Sequence, residues 1–222
     1  MTLDRLASSP TMPSVPSELD HLVYGAPDLD SAVEALEALL GVRATPGGRH
    51  EGVGTHNALI ALGESAYLEV IAPDPTQPPP GRPRPFGLDR LVKPRLVTWA
   101  IKAPGIDAAV ERARAAGHDP GEVRAMSRAT PDGRRLEWRL ATPREPVCAG
   151  LVPFLIDWGE TPSPATTAAQ GCRLAALWAE YPNPRALRAY LRTLGVELEV
   201  RLSPRPRLVA TMECPRGVVE LA

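Results

Sequence analysis

Apolar and polar residues in this chain follow two periods, and the switch between them recurs. Asp20 to Val33 reads DHLVYGAPDLDSAV: a short apolar run, a turn carrying Pro and Asp, then the start of a helix. Val97 to Val110 reads VTWAIKAPGIDAAV and aligns on it without a gap, Ala26-Pro27 on Ala103-Pro104 and Asp30 on Asp107. In the first helix Val33, Leu36, Leu39 and Leu40 recur at helical spacing on one face. Asp28 or Asp30 suits its start, and Gly41 suits the left-handed residue after its last turn. The second helix runs from about Asp107 and stops at Gly117. A weaker third copy follows. Arg173 to Glu180 reads as a strand, Asn183-Pro184 supplies a cap and a first-turn proline, and Leu187, Tyr190, Leu191 and Leu194 form the apolar stripe.

After each helix the pattern changes to period two, the mark of half-buried strands. The segments are Asn57–Leu62 and Tyr67–Ile71, then Arg135–Ala141 and Val152–Trp158, then Glu197–Leu202, Leu208–Cys214 and Val218–Leu221. The order of strand, helix, then two or three strands predicts an α+β fold of repeated βαβββ modules, two clear and a third weaker. A small sheet with one helix leaves a face open, so modules should pair across those faces into a curved-sheet cleft. The expected division is a flexible N-terminus over 1–16, modules over 17–75, 95–160 and 170–222, and a proline-rich linker or covering loop over 76–94.

Composition narrows the partners. The net charge of −1 excludes a general nucleic-acid or membrane-surface binder, which needs a basic patch to neutralise phosphates. The 26 prolines and the preference for arginine over lysine read as the codon bias of a GC-rich, bacterial genome. Cys148, Cys172 and Cys214 are an odd number without CxxC spacing, so neither a disulfide framework nor a structural zinc site is expected. Met1 to Pro16 has the character of neither a signal peptide nor an anchor, and a cytoplasmic location is the expectation.

The ordered combination HLVYGAPDLD, GGRHEGVGTHNALIALG and AYLEVIAPDP, followed by MSRATPDGRRLEWRL and GLVPFLIDWG, resembles the glyoxalase-like domain of the vicinal oxygen chelate superfamily. The resemblance spans about Leu19 to Gly159 and implies paired βαβββ modules around a cleft. Metal-dependent members place a His on the first strand of a module and a Glu on its last, which carries over to His21 and Glu69 as metal ligands, with Glu69 also as a catalytic group. Alternation places His21 with Val23, and Glu69 with Tyr67 and Ile71, on single strand faces. If the two strands are neighbours, imidazole and carboxylate meet in the cleft. Such a pair suits Zn, Ni, Mn or Fe(II) as a Lewis acid toward an oxygenated substrate, and no organic cofactor is evident. The second module sets Thr98 against His21 and puts Leu155 or Ile156 near the Glu69 position. The third offers Ala175 and Glu220, with Glu213 as a further carboxylate.

Several other residues carry chemistry. The stretch Gly47 to His56 reads as a loop in which Arg49 can grip a carboxylate and His50 or His56 can serve as acid, base or third ligand. Asn57 could orient a substrate carbonyl, and Trp99 and Trp138 either line the pocket or fill the core. Arg128 either holds an anionic substrate or is exposed beside the turn at Pro131-Asp132-Gly133, and Cys148 lacks a partner base. Three functions fit: metal-assisted isomerase, lyase or dioxygenase chemistry on a small oxygenated metabolite; metal-free binding or sequestering of a small molecule; or a homodimer whose third module serves association.

Overall fold

The structure, a computed structural model, describes residues 13–130 and 133–222. Most of the N-terminal segment read as flexible, and Pro131 and Asp132 of the expected turn, lie outside the described residues. The first unit runs β1 (Leu19–Gly25), α1 (Leu29–Leu40), β2 (Thr45–His50), β3 (Thr55–Ala61) and β4 (Tyr67–Pro73). The second repeats it as β5 (Arg95–Lys102), α2 (Ile106–Ala115), β6 (Val123–Ala129), β7 (Arg135–Ala141) and β8 (Phe154–Asp157). Asp28 caps α1 by accepting from the Ser31 N–H at 2.8 Å, and Gly41 ends it at φ 79°. Leu29, Val33, Leu36 and Leu40 are its buried stripe, whereas Leu39, expected on that face, is exposed. Gly105 has no side chain to cap α2. Asp157, at the end of β8, does so instead, its carboxylate accepting from the Gly105 and Ile106 N–H groups at 3.0 and 3.3 Å.

The eight strands of these two units close into a barrel in the order β1-β4-β3-β2-β6-β7-β8-β5. In each unit the first strand runs parallel to the last, and β1 pairs antiparallel with β5. On the far side β2 meets β6 through the single pair Arg49 and Ala129. Strand alternation then sends one set of side chains inward and the other outward. Val23, Ile71, Ala100, Trp138, Phe154 and Ile156 pack inside. Leu22, Ile60, Leu68 and Trp99 pack outside with Leu36 and Leu40 of α1 and Ile106 and Val110 of α2. The proline-rich segment is a cover as well as a link, because its Leu88 is buried in the inner cluster.

The third unit, β9 (Arg173–Tyr181), α3 (Pro184–Thr193), β10 (Glu199–Leu202), β11 (Arg207–Cys214) and β12 (Gly217–Leu221), has its own sheet. Its order is β10-β9-β11-β12, so its first strand pairs with the second and third strands and not with the last, unlike the other units. Leu177, Ala179, Leu208 and Ala210 join the barrel's outer core. This sheet lies apart from the barrel interior and cannot complete a cleft there. Glu213 is exposed and paired with Arg173 at 2.6 Å, and Glu220 is exposed on β12.

Against expectation, Cys172 and Cys214 form a disulfide. Sequence spacing gave no hint because the sheet brings them together: Arg173 pairs with Glu213, which sets the two cysteines opposite each other. Among the described residues no helix is long and apolar enough to cross a membrane.

Candidate functional site

The site begins at an irregularity in β1. Leu19 pairs with Ile101 but His21 pairs with Ala100, so Asp20 is the extra residue of a bulge. In a regular strand adjacent side chains point to opposite faces. Here the Asp20 carboxylate comes round to His21, Oδ1 lying 2.7 Å from the imidazole Nδ1. Both residues are buried. Trp158 donates its indole N–H to the same carboxylate, at 3.1 Å from Oδ2. The Tyr67 ring stacks on His21 at 4.7 Å and Phe154 meets His21 edge-on at 5.5 Å. Burial, then the negative charges of Asp20 and Glu69, hold the Tyr67 hydroxyl well above the ordinary phenol range.

Glu69 stands opposite Val23 in the parallel β1–β4 pair, and its Oε2 lies 3.7 Å from His21 Nε2. Its other oxygen accepts from the Asn57 amide at 2.5 Å. The Asn57 Oδ1 is buried without a hydrogen-bond partner. Arg128, next to Met126 and Trp138 in the β6–β7 pairing, is buried and donates to the Gly47 carbonyl. Burial pulls its guanidinium below the ordinary range, against the opposing charge of Glu69 nearby. His50 is buried on the same side, its Nδ1 2.9 Å from the Thr55 hydroxyl and its ring edge-on to Trp138 at 6.2 Å. Desolvation is the largest influence on His50 and lowers its pKa, with Glu69 opposing. In turn Trp138 lies 5.2 Å from Trp158.

The barrel thus gathers His21, Glu69, Asn57, His50, Arg128 and Trp138 from the sequence-derived set. It does not gather the other two. Trp99 is fully buried on the outer face, where its indole N–H donates to the Leu151 carbonyl at 2.9 Å, so it is core and not pocket wall. Arg49 follows Gly48 and precedes His50 on β2, and alternation turns it outward toward Asp74, 3.5 Å away. His56, its partner on β3, shares that outer face. The stretch read as a loop is the turn of the β2–β3 hairpin with the strand ends on either side of it. Asp20, Tyr67, Trp158 and Phe154 were not singled out. The adjacent Asp-His pair was visible in the sequence, but only the bulge makes it a contact.

A sequence model described as the glyoxalase-like domain matches residues 19–195. The chain belongs to that family, within the vicinal oxygen chelate superfamily. A comparison with curated proteins found no match. Among solved structures, a hypothetical protein from Staphylococcus aureus superposes with a TM-score of 0.63 at 14% identity, over 91% of this chain and 97% of that one. Methylmalonyl-CoA epimerase from Mycobacterium tuberculosis gives a TM-score of 0.44 at 23% identity, over 66% and 91% of the two chains. A Streptomyces coelicolor methylmalonyl-CoA epimerase variant in complex with 2-nitronate-propionyl-CoA gives 0.44 at 20%, over 68% and 100%.

The fit of this glyoxalase-like chain to a divalent metal can be tested residue by residue. His21 Nε2 and Glu69 Oε2 are two suitable donors, and a carboxylate behind the imidazole would serve a metal-bound His well. The repeat locates the other half of the set. Thr98 aligns with His21, and Phe154 faces Ala100 as Glu69 faces Val23, so Phe154 occupies the position expected for Leu155 or Ile156. Asp157, the nearest carboxylate, is spent on capping α2. No group of three or more His, Cys, Asp or Glu side chains with metal-binding spacing occurs among the described residues. Protein metal sites take about three or four ligands from the chain, and with Thr98 and Phe154 at the other two positions only His21 and Glu69 remain. The residues do not fit a resident metal.

Proposed function

We propose that this glyoxalase-like chain binds a small oxygenated molecule inside its barrel without a resident metal ion. One observation carries the reading: a phenyl ring, Phe154, stands where the second module would offer its carboxylate, and beside it the buried Arg128 adds a positive charge from the same module. A guanidinium offers several N–H donors in a fixed plane and can hold a carbonyl, hydroxyl or carboxylate oxygen, the task a metal performs elsewhere in the superfamily. The unpartnered Asn57 Oδ1 is a hydrogen-bond acceptor suited to a hydroxyl or N–H of the same molecule. Trp138 and Phe154 supply apolar walls.

The test joins metal analysis to ligand screening. Purified, tag-free protein is incubated with Zn, Ni, Mn or Fe(II), desalted, and its metal measured. Thermal shift against a panel of small hydroxy and keto compounds then follows, with Glu69→Gln and Arg128→Met alongside. The expected result is substoichiometric metal and a stabilising compound whose effect both substitutions abolish. Stoichiometric metal that His21→Ala removes would overturn the reading and restore the metal-assisted one.

A further inference from the structure

Resting on that reading of the site, we infer that Asp20 is a positioning residue that fixes the tautomer of His21, so that Nε2 presents its lone pair to the barrel interior as a proton acceptor. The geometry is built for this from three sides. Asp20 is fully buried, in the bulge of β1 between Leu19 and His21. Both of its oxygens accept from the Trp158 indole N–H, at 3.3 and 3.1 Å, which pins the carboxylate. Oδ1 is then aimed at Nδ1 at 2.7 Å. A carboxylate only accepts, so the hydrogen of that bond belongs to Nδ1. A neutral imidazole with its hydrogen on Nδ1 has its lone pair on Nε2.

Ring contacts lock the imidazole in that direction. Tyr67 stacks on one face and Phe154 closes an edge, so rotation of the ring would have to break both contacts. Nε2 therefore faces Glu69 Oε2 across 3.7 Å, longer than a hydrogen bond, with one acceptor on each side. Two acceptors facing each other are stabilised by a donor set between them, and a hydroxyl of the bound molecule would supply one. His21 Nε2 then accepts that hydroxyl's hydrogen bond, while Asn57 holds Glu69 in place. Asp20 touches nothing but protein and acts entirely through His21. Orientation of a base by a buried carboxylate of this kind fixes which nitrogen is free for chemistry.

The experiment reads the tautomer directly. Long-range ¹H–¹⁵N spectra separate the two neutral forms of histidine, the chain has only four His, and His21→Gln assigns the His21 signals by loss. Wild type is expected to show His21 with its hydrogen on Nδ1. In Asp20→Asn, Trp158 claims the amide oxygen as acceptor and leaves the NH₂ toward His21, which must move its hydrogen to Nε2. Asp20→Glu is the partial rescue, expected to return the Nδ1–H form where the longer carboxylate reaches. Wild-type His21 protonated on Nε2 overturns the inference without any variant, as does an unchanged tautomer in folded Asp20→Asn. Since these spectra need no ligand, failure here is separate from failure of the ligand screen.

Discussion

Breaking the Cys172–Cys214 bond should cost more than any single surface contact in the chain. The two cysteines are 42 residues apart in sequence and face each other across the paired strands β9 and β11. Closing a loop of that length removes about 13 cal/mol/K of entropy from the unfolded chain, or about 4 kcal/mol at 25 °C. The loop it closes contains β9, α3, β10 and β11, so all but the last strand of the third unit's sheet lies within the constraint. The assay is urea unfolding of wild type with and without reductant, beside Cys172→Ser in both. Wild type without reductant should lie about 4 kcal/mol above the other three, which should agree with one another. Intact mass of the oxidised protein should be about two hydrogens lower than that of the reduced form, by the stoichiometry of disulfide formation. Equal stability of wild type in both conditions, with no mass difference, would refute the pairing and the reasoning built on it.

Other outcomes follow from the barrel. Gly48→Ala would put a methyl carbon 2.3 Å from the Ala129 carbonyl oxygen, so it should destabilise by at least the roughly 1–3 kcal/mol of an overpacked site, read by thermal or urea melts. Trp99→Phe strips the Leu151 carbonyl of its partner and should cost about 1–3 kcal/mol while leaving any ligand affinity unchanged; lost affinity at full stability would put Trp99 back in the pocket. Burial lowers the pKa of both His50 and His118 from 6.5 in the folded chain. Below pH 6.5 the unfolded state therefore takes up protons that the native state resists, so their contribution is complete above that value and falls as the pH drops. Melts from pH 8 to 5 should show that slope, and it should shrink in His118→Asn.

The sequence exposed the units through their strand-turn-helix openings, and with them the meeting of His21 and Glu69, because the first and last strands of such a unit lie side by side. It hid what depends on local exceptions. β2 (TPGGRH) and β6 (VRAMSRA) carry glycine and arginine where a strand usually shows alternating apolar residues, and tertiary pairing holds them extended. Arg128 looked like a turn residue because its place inside the barrel comes from β6 pairing with β7. Asp20 escaped because period two assigns it to the face opposite His21. The cysteine pair and the changed strand order of the third unit are set by contacts between distant segments, about which local spacing is silent.

The lone rung between β2 and β6 has a mechanical meaning. Along β1 and β5 the two halves are stitched by a ladder running from Leu19 to Gly25, whereas the opposite seam is held by Arg49 and Ala129 and by the Arg128 bond to Gly47. Cut that rung and the cylinder becomes a curled sheet hinged on β1 and β5, with each half still intact. His21, Glu69, Asn57 and His50 travel with one half, Arg128 and Trp138 with the other. The Arg128 bond that latches the seam also fixes a buried guanidinium in Trp138's half of the barrel, so the clasp and the site share one side chain.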